Sequence, residues 1–302
     1  MLALVADAQL PPKIGVTPRP AGSFAHAMPA WLRGSAPDGR DDLLGIKWVA
    51  GFPANAERGL PAINGTVLLS DALTGLPRAI LDAGPLTAHR TAAVSGAAIA
   101  GFGPQGVAEP LVAVIGSGVQ ARSHLPVIAH LLPGARLVVC DRDPARAEAL
   151  AAEAAAADRE RPAFDDVRVT QDPVEAVAGA HLVVTTITFG PIRQIVPAEA
   201  FDPGATIVAV DYDMCVPAAL AAAAAAFLTD DRSQFLATRS ETVFAGYPQP
   251  SGTLGEAIGA RMPRPEGRVL VAHLGVGLAD VVFGDAVMRA AEAAGIGTLL
   301  ER

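Results

Sequence analysis

The sequence predicts an α/β protein in which a doubly wound, Rossmann-type parallel sheet is joined to a smaller α+β domain. Three observations predict it. From Leu111 onward, short apolar runs alternate with helical stretches. Those runs show no polar alternation, as strands covered on both faces require. A glycine-rich turn, Gly116-Ser117-Gly118-Val119-Gln120-Ala121, follows the first run directly and opens a helix.

Residues 1–45 are rich in Pro, Gly and Ala, lack sustained periodicity, and read as loops and short strands. Val67-Leu68-Leu69 and Ala79-Ile80-Leu81 flank Leu73-Thr74-Gly75-Leu76, which predicts a hairpin with Gly75 at a positive φ. Thr87 is placed to cap a small-residue helix from Arg90 to Ala100, ended by Gly101 and Gly103-Pro104. The predicted strands are 111–116, 135–141, 181–188, 205–211, 225–231 and 269–275, with helices at 119–131, 144–156, 172–178 and 214–225. Alternating strand and helix implies a parallel, doubly wound sheet. The alanine run Ala221–Ala226 reads as helix packed closely on that sheet, and Leu278–Leu300 as a helix broken at Gly295-Ile296-Gly297. Residues 1–107, completed by 276–302, are expected to form a substrate-binding and dimerisation domain. Residues 108–275 are expected to form the dinucleotide-binding domain.

The chain has 302 residues, 51% of them hydrophobic, which is ample for a buried core. The net charge of -8 argues against nucleic acid as a partner. Cys140 and Cys215 stand apart, in neither a CxxC nor a Cys/His cluster, so no metal site and no disulfide framework is expected. A reducing cytoplasm is the expected compartment. The N-terminal MLALVADAQLPPK lacks the basic start and long apolar core of a signal peptide. No apolar run reaches membrane-spanning length unbroken.

The GxGxxA turn carries the first functional expectation. Gly116 permits the tight turn, Gly118 lets backbone approach a pyrophosphate, and Ala121 lets helix and sheet pack closely. The helix opening at Val119 and Gln120 offers free N–H groups and a positive dipole end to phosphates. Asp141, at the end of the next strand, is placed to accept hydrogen bonds from the adenosine ribose and would repel a 2′-phosphate. NAD is therefore expected ahead of NADP. Arg142, the next residue, is the group that would receive a 2′-phosphate in the alternative. Thr185 and Thr188, at the end of the strand 181–188, complete the candidate cofactor set.

Seven segments then fall into one pattern: Lys47-Trp48-Val49, Gly59-Leu60-Pro61, Leu69-Ser70-Asp71, Ile80-Leu81-Asp82, the stretch Leu86-Thr87-Ala88-His89-Arg90-Thr91-Ala92-Ala93, the Gly116–Ala121 turn, and Leu274-Gly275-Val276-Gly277-Leu278-Ala279-Asp280. In this order they resemble the ornithine cyclodeaminase/mu-crystallin family from about Pro11 onward. The stretch around Arg90 and the glycine turn are the most specific parts. The first helix usual in that family is missing or lies outside this chain.

The resemblance implies NAD(P)-linked chemistry at the α-carbon of an amino or imino acid, and a homodimer. It assigns Lys47 as substrate-binding and catalytic, and Arg90 as the grip on the substrate carboxylate near the cofactor. An arginine fork binds a carboxylate in two-point geometry, and a lysine in an apolar setting can titrate. A first-turn arginine opposes the helix dipole, which favours a functional reason for it. Asp213 matches the catalytic aspartate of the cyclodeaminases, with capping of the helix 214–225 as its plainer role. Three departures weaken ornithine as substrate. Lys13 replaces the usual arginine of the N-terminal strand, and His26 stands where cyclodeaminases carry a glutamate for the distal amine. Asp211-Tyr212-Asp213 replaces Gly-Ala-Asp, with Ala219 in place of a common glutamate. An amino acid dehydrogenase or ketimine reductase is the leading expectation. A cyclodeaminase-like lyase with catalytic NAD and a non-catalytic, crystallin-like cofactor binder are the alternatives.

Overall fold

The computed structural model describes residues 7–156 and 163–300; the first six residues of the N-terminal apolar stretch lie outside them. The chain divides into two compact units, one built from Ala3–Arg90 and Gly275–Arg302, the other from Thr91–Leu274. The division falls between Arg90 and Thr91, inside a helix, where the sequence suggests one near residue 107.

The first unit is a six-stranded sheet of β1 (Ala8–Gln9), β2 (Ile14–Val16), β3 (Phe24–Leu32), β4 (Leu43–Gly51), β5 (Ile63–Ser70) and β6 (Pro77–Asp82), in which neighbours pair antiparallel. The hairpin turns through Gly75 at φ 73°. The expectation of loops and short strands before residue 45 is corrected by β3, nine residues long. Its pattern was hidden because its core face carries His26 while the opposite face carries Trp31. On β4, Lys47 is buried and Trp48 exposed, so the usual apolar-in, polar-out alternation is inverted there.

α1 (Ala83–Phe102) starts four residues before the expected cap, with Pro85 in its first turn, where a missing N–H costs nothing. Thr87 is therefore inside the helix, and Arg90 sits more than one turn beyond its start. The first-turn dipole argument for Arg90 falls away.

The second unit holds β7 (Leu111–Ile115), α2 (Val119–Leu131), β8 (Arg136–Cys140), α3 (Pro144–Ala156), β9 (Asp166–Thr170), α4 (Pro173–Val177), β10 (Leu182–Thr185), β11 (Thr206–Ala209), α5 (Ala218–Ala223), β12 (Ala226–Thr229), α6 (Arg232–Thr238), β13 (Gly252–Thr253), α7 (Leu254–Gly259) and β14 (Val269–Ala272). All eight strands are parallel, in the order β13-β12-β14-β11-β10-β7-β8-β9. The chain runs outward from β7 through β8 and β9, then returns to β10 on the other side of β7. That reversal is the switch point where such sheets bind ligands, beyond the strand C-termini. The alanine run splits, with Ala221–Ala223 closing α5 and Ala226 opening β12. Pro217 is the N-cap of α5, so Asp213 does not cap it.

α8 (Gly277–Ala294) returns to the first unit and ends at Gly295 in the left-handed conformation. Its Leu278, Val281 and Met288 join Val67, Leu69 and Leu86 in that unit's core. Among the described residues no helix is long and apolar enough to cross a membrane.

Candidate functional site

The glycine turn lies at the switch point. Gly116 has φ 97°, and a Cβ on it would stand 2.9 Å from the backbone carbonyl of Thr186, which follows β10. Its N–H donates to the Cys140 carbonyl at 2.7 Å, tying the turn to the end of β8. Gly118 is the N-cap of α2 without any side-chain capping bond. A Cβ there would meet nothing nearer than the Arg146 guanidinium at 3.9 Å. Val119 is exposed and Ala121 fully buried. Ser117 Oγ and Gln120 Oε1 are buried without hydrogen-bond partners among the described residues. Open space above Gly118, uncapped helix N–H groups and the orphaned Ser117 hydroxyl, a donor, fit a bound pyrophosphate. Beneath the turn, His124 bonds the Gln120 carbonyl through Nδ1 and Ser95 through Nε2, and Ser95 also meets His273.

Asp141 accepts the Ser117 N–H at 2.8 Å through Oδ2 and the Asp143 N–H at 3.0 Å through Oδ1. It therefore shapes the turn from the end of β8. Arg142 is exposed beside it. Thr188 is exposed beyond β10, but Thr185 is fully buried and its hydroxyl donates to Asp211 at 2.7 Å. The placing of Thr185 among direct cofactor contacts is corrected accordingly: its hydroxyl is turned inward. Burial pushes the Asp211 carboxyl up to about 6, against the hydrogen bonds from Thr185 and Cys215 that stabilise its charge.

The second cluster belongs to the first unit. Lys47, on the core face of β4, forms an ion pair with Asp280 at 2.7 Å. Arg90 Nε donates to the other oxygen of Asp280, also at 2.7 Å. Lys47 is 1% exposed, Arg90 6% and Asp280 0%, so this is one buried carboxylate between two buried cations. Asp280 lies in the first turn of α8, where the helix dipole favours its charge. Burial, then the neighbouring Arg90, pull the Lys47 ammonium down to about 7, and the pull of Asp280 only partly offsets them. An ordinary lysine is charged at neutral pH; this one is poised to exchange its proton there.

His26 and Lys13 complete the cluster. His26 stacks on Phe24 with ring centroids 4.7 Å apart. Its ring lies over Gly15, where a Cβ would come within 2.4 Å. Burial, and then the charges of Lys13 and Lys47, bring its imidazole down to about 4. At neutral pH it is a neutral group among cations. The structure thus gathers Lys13, His26, Lys47 and Arg90.

Asp213 is placed differently. It is fully buried in the second unit, with Oδ1 paired to Arg193 and Oδ2 accepting the Phe244 N–H at 2.8 Å. It is not the open carboxylate that the sequence suggests.

Sequence reasoning missed two partners. Asp280 closes the Leu274–Asp280 motif, which by itself assigns it no role. Its signal was an acidic residue at the start of an otherwise apolar helix, a position that buried cations can satisfy. Arg193 carried no such signal in its Ile192-Arg193-Gln194 context.

A family model described as the ornithine cyclodeaminase/mu-crystallin family matches residues 2–237. The nodulation efficiency protein NfeD of Rhizobium meliloti is 30% identical over 297 residues, covering 96% of this chain and 87% of its own. Delta(1)-pyrroline-2-carboxylate reductase 2 of Burkholderia ambifaria is 36% identical over 195 residues, or 65% of this chain and 56% of its own. Among solved structures, an archaeal alanine dehydrogenase dimer with bound NAD superposes with a TM-score of 0.82 at 25% identity, covering 99% of this chain and 91% of its own.

Proposed function

We propose, from the premise that this chain belongs to the ornithine cyclodeaminase/mu-crystallin family, that it is an NAD-dependent oxidoreductase acting on the C=N bond of an α-imino acid. The observation that carries this reading is the buried Lys47–Asp280–Arg90 assembly. Asp280 takes Nε of Arg90, and a guanidinium has further N–H donors suited to gripping an α-carboxylate. Lys13 adds a second cation for that carboxylate. Lys47, near its titration point at neutral pH, gives a proton to the substrate nitrogen on reduction and takes it back on oxidation. The Gly116–Gly118 turn and Asp141 hold the dinucleotide, which when bound supplies the hydride for the imine carbon.

Net reduction is favoured over cyclodeamination by two observations. His26, standing where cyclodeaminases carry a glutamate for the distal amine, is neutral at neutral pH and offers a distal ammonium no countercharge. Asp213, the carboxylate expected to serve the amine, is already paired with Arg193. The two buried free thiols, Cys140 and Cys215, suit a reducing cytoplasm.

The test is NADH and NADPH oxidation with cyclic imino acids and with 2-oxo acids plus ammonia. NADH consumption is expected, with a preference over NADPH that Asp141→Ala erodes. Conversion of ornithine without net NADH change would overturn the reductase reading, and tight binding without turnover would support the crystallin-like one.

A homodimer through the outer face of the first sheet is part of this reading. Register sets Ile14, Ala27, Trp48 and Thr66 in one row, and Pro29, Ile46, Leu68 and Ile80 in the next. Ile14, Trp48 and Ile80 are exposed, an apolar surface of the kind that oligomers cover. A second copy of the chain is the proposed cover, in keeping with the dimeric alanine dehydrogenase. Trp48→Asp is expected to convert a dimer to monomers in light scattering; an unchanged mass would place the interface elsewhere.

A further inference from the structure

Three residues other than glycine adopt the left-handed backbone around Asp213: Gln194 at φ 56°, Tyr212 at φ 64° and Phe244 at φ 54°. Each such residue crowds its Cβ and persists only where its surroundings hold it. Asp213 is the common anchor. Its carbonyl accepts the Gln194 N–H at 2.9 Å, its Oδ2 accepts the Phe244 N–H at 2.8 Å, its Oδ1 pairs with Arg193, and Tyr212 precedes it in the chain. The Gln194 side chain ties the same loops again, donating to the Ala245 carbonyl and accepting the Ala218 N–H.

The knot fixes a row of aromatic rings. Phe244 is buried in the core, Tyr212 stacks on it with centroids 5.6 Å apart, and Phe189 lies 4.9 Å beyond Tyr212. Phe189 is 48% exposed, so the row climbs from the core to the surface. It reaches the surface past the ends of β10 and β11, across the switch point from Asp141. A doubly wound sheet binds one half of a dinucleotide over β7 and β8 and the other over β10 and β11. Asp141 marks the adenosine half.

We infer that Asp213 is a positioning residue, and that the Phe189–Tyr212 pair it holds in place is the surface on which the nicotinamide ring of the dinucleotide lies. This rests on the dinucleotide reading above. A flat heteroaromatic ring gains from offset stacking or edge contact with such a pair. The buried carboxylate anchors the loops around Tyr212, whose backbone would otherwise leave its left-handed conformation, and Phe189 rests on the Tyr212 ring.

The test is calorimetric titration of NAD+ and of ADP-ribose, which lacks the nicotinamide. Phe189→Ala removes one ring, and Tyr212→Asn removes the other while tolerating the left-handed backbone. Both are expected to weaken NAD+ by about two- to tenfold, the size of an aromatic contact, and to leave ADP-ribose unchanged. Asp213→Asn, and Arg193→Gln where that variant fails to fold, are expected to show the same split. Equal loss of both ligands, or loss of neither, would overturn the inference. A wild-type protein that binds neither ligand would instead overturn the dinucleotide reading itself.

Discussion

Lys47→Met is expected to lower turnover by about 10²- to 10⁴-fold, the range of a positioned proton donor or acceptor, while NADH affinity is unchanged. Methionine keeps an unbranched chain of similar length in the core and leaves Asp280 still paired with Arg90. Loss of fold is therefore not the expected cause of the lost rate. The pH profile supplies the second readout. With the Lys47 ammonium down to about 7, reduction, which needs the protonated form, is expected to decline as pH rises through about 7. Oxidation of the amine needs the neutral form and is expected to rise over the same interval. Lys47→Arg keeps the charge but cannot release its proton in this range. It is expected to remain slow and to lose the limb near 7. A Lys47→Met enzyme with undiminished kcat on its best substrate would remove Lys47 from the chemistry.

The dinucleotide unit was legible because buried parallel strands are continuous apolar runs, and β7, β8, β10, β11, β12 and β14 all lie within predicted runs. β9 escaped notice. It is an edge strand whose Asp-Val-Arg-Val-Thr carries charges in place of an apolar run. α7 announced itself in the pattern Thr253-Leu254-Gly255-Glu256, a capping box present in the structure, but its six residues are too short for periodicity to register. The first unit was harder to read for a reason tied to its chemistry. Its core face holds Lys47 and His26 where hydrophobic residues would signal a strand, and its outer face holds Trp31, Ile46 and Trp48. A strand that buries charge and exposes aromatics defeats a pattern built on the opposite rule. The site divides in the same way. Lys47 and Arg90 stand in motifs, and Lys13 and His26 stand out as departures from the family pattern, whereas the surroundings of Asp280 and Asp213 depend on what meets them in space. Arg193 converts Asp213 from an open carboxylate into an anchor, and no local pattern around either residue encodes that pairing.

Asp280→Asn tests the other half of the assembly and is expected to be costly in two separable ways. The first is stability. The substitution keeps the shape but leaves Arg90 buried with no compensating charge and makes Lys47 give up its proton, and breaking a buried pair in this manner costs about 3–5 kcal/mol. The urea midpoint should fall accordingly. Adding Lys47→Met removes the amine that has lost its partner, so the double variant should recover part of the loss, a coupling that a double-mutant cycle reads directly. The second effect is functional. Asp280 raises the proton affinity of Lys47 against burial and Arg90, so without it the Lys47 ammonium should fall below about 7. The reductive limb would then move to lower pH. Arg90 loses the bond that fixes its Nε edge, so its fork meets the substrate carboxylate in many orientations instead of one, and KM should rise. Stability and pH profile are independent readings of one carboxylate. A stability loss with an unmoved pH limb and unchanged KM would make Asp280 a core ion pair only. An Asp280→Asn protein as stable as wild type would mean that Lys47 gives up its charge there without cost, and Arg90 alone would then account for the pairing.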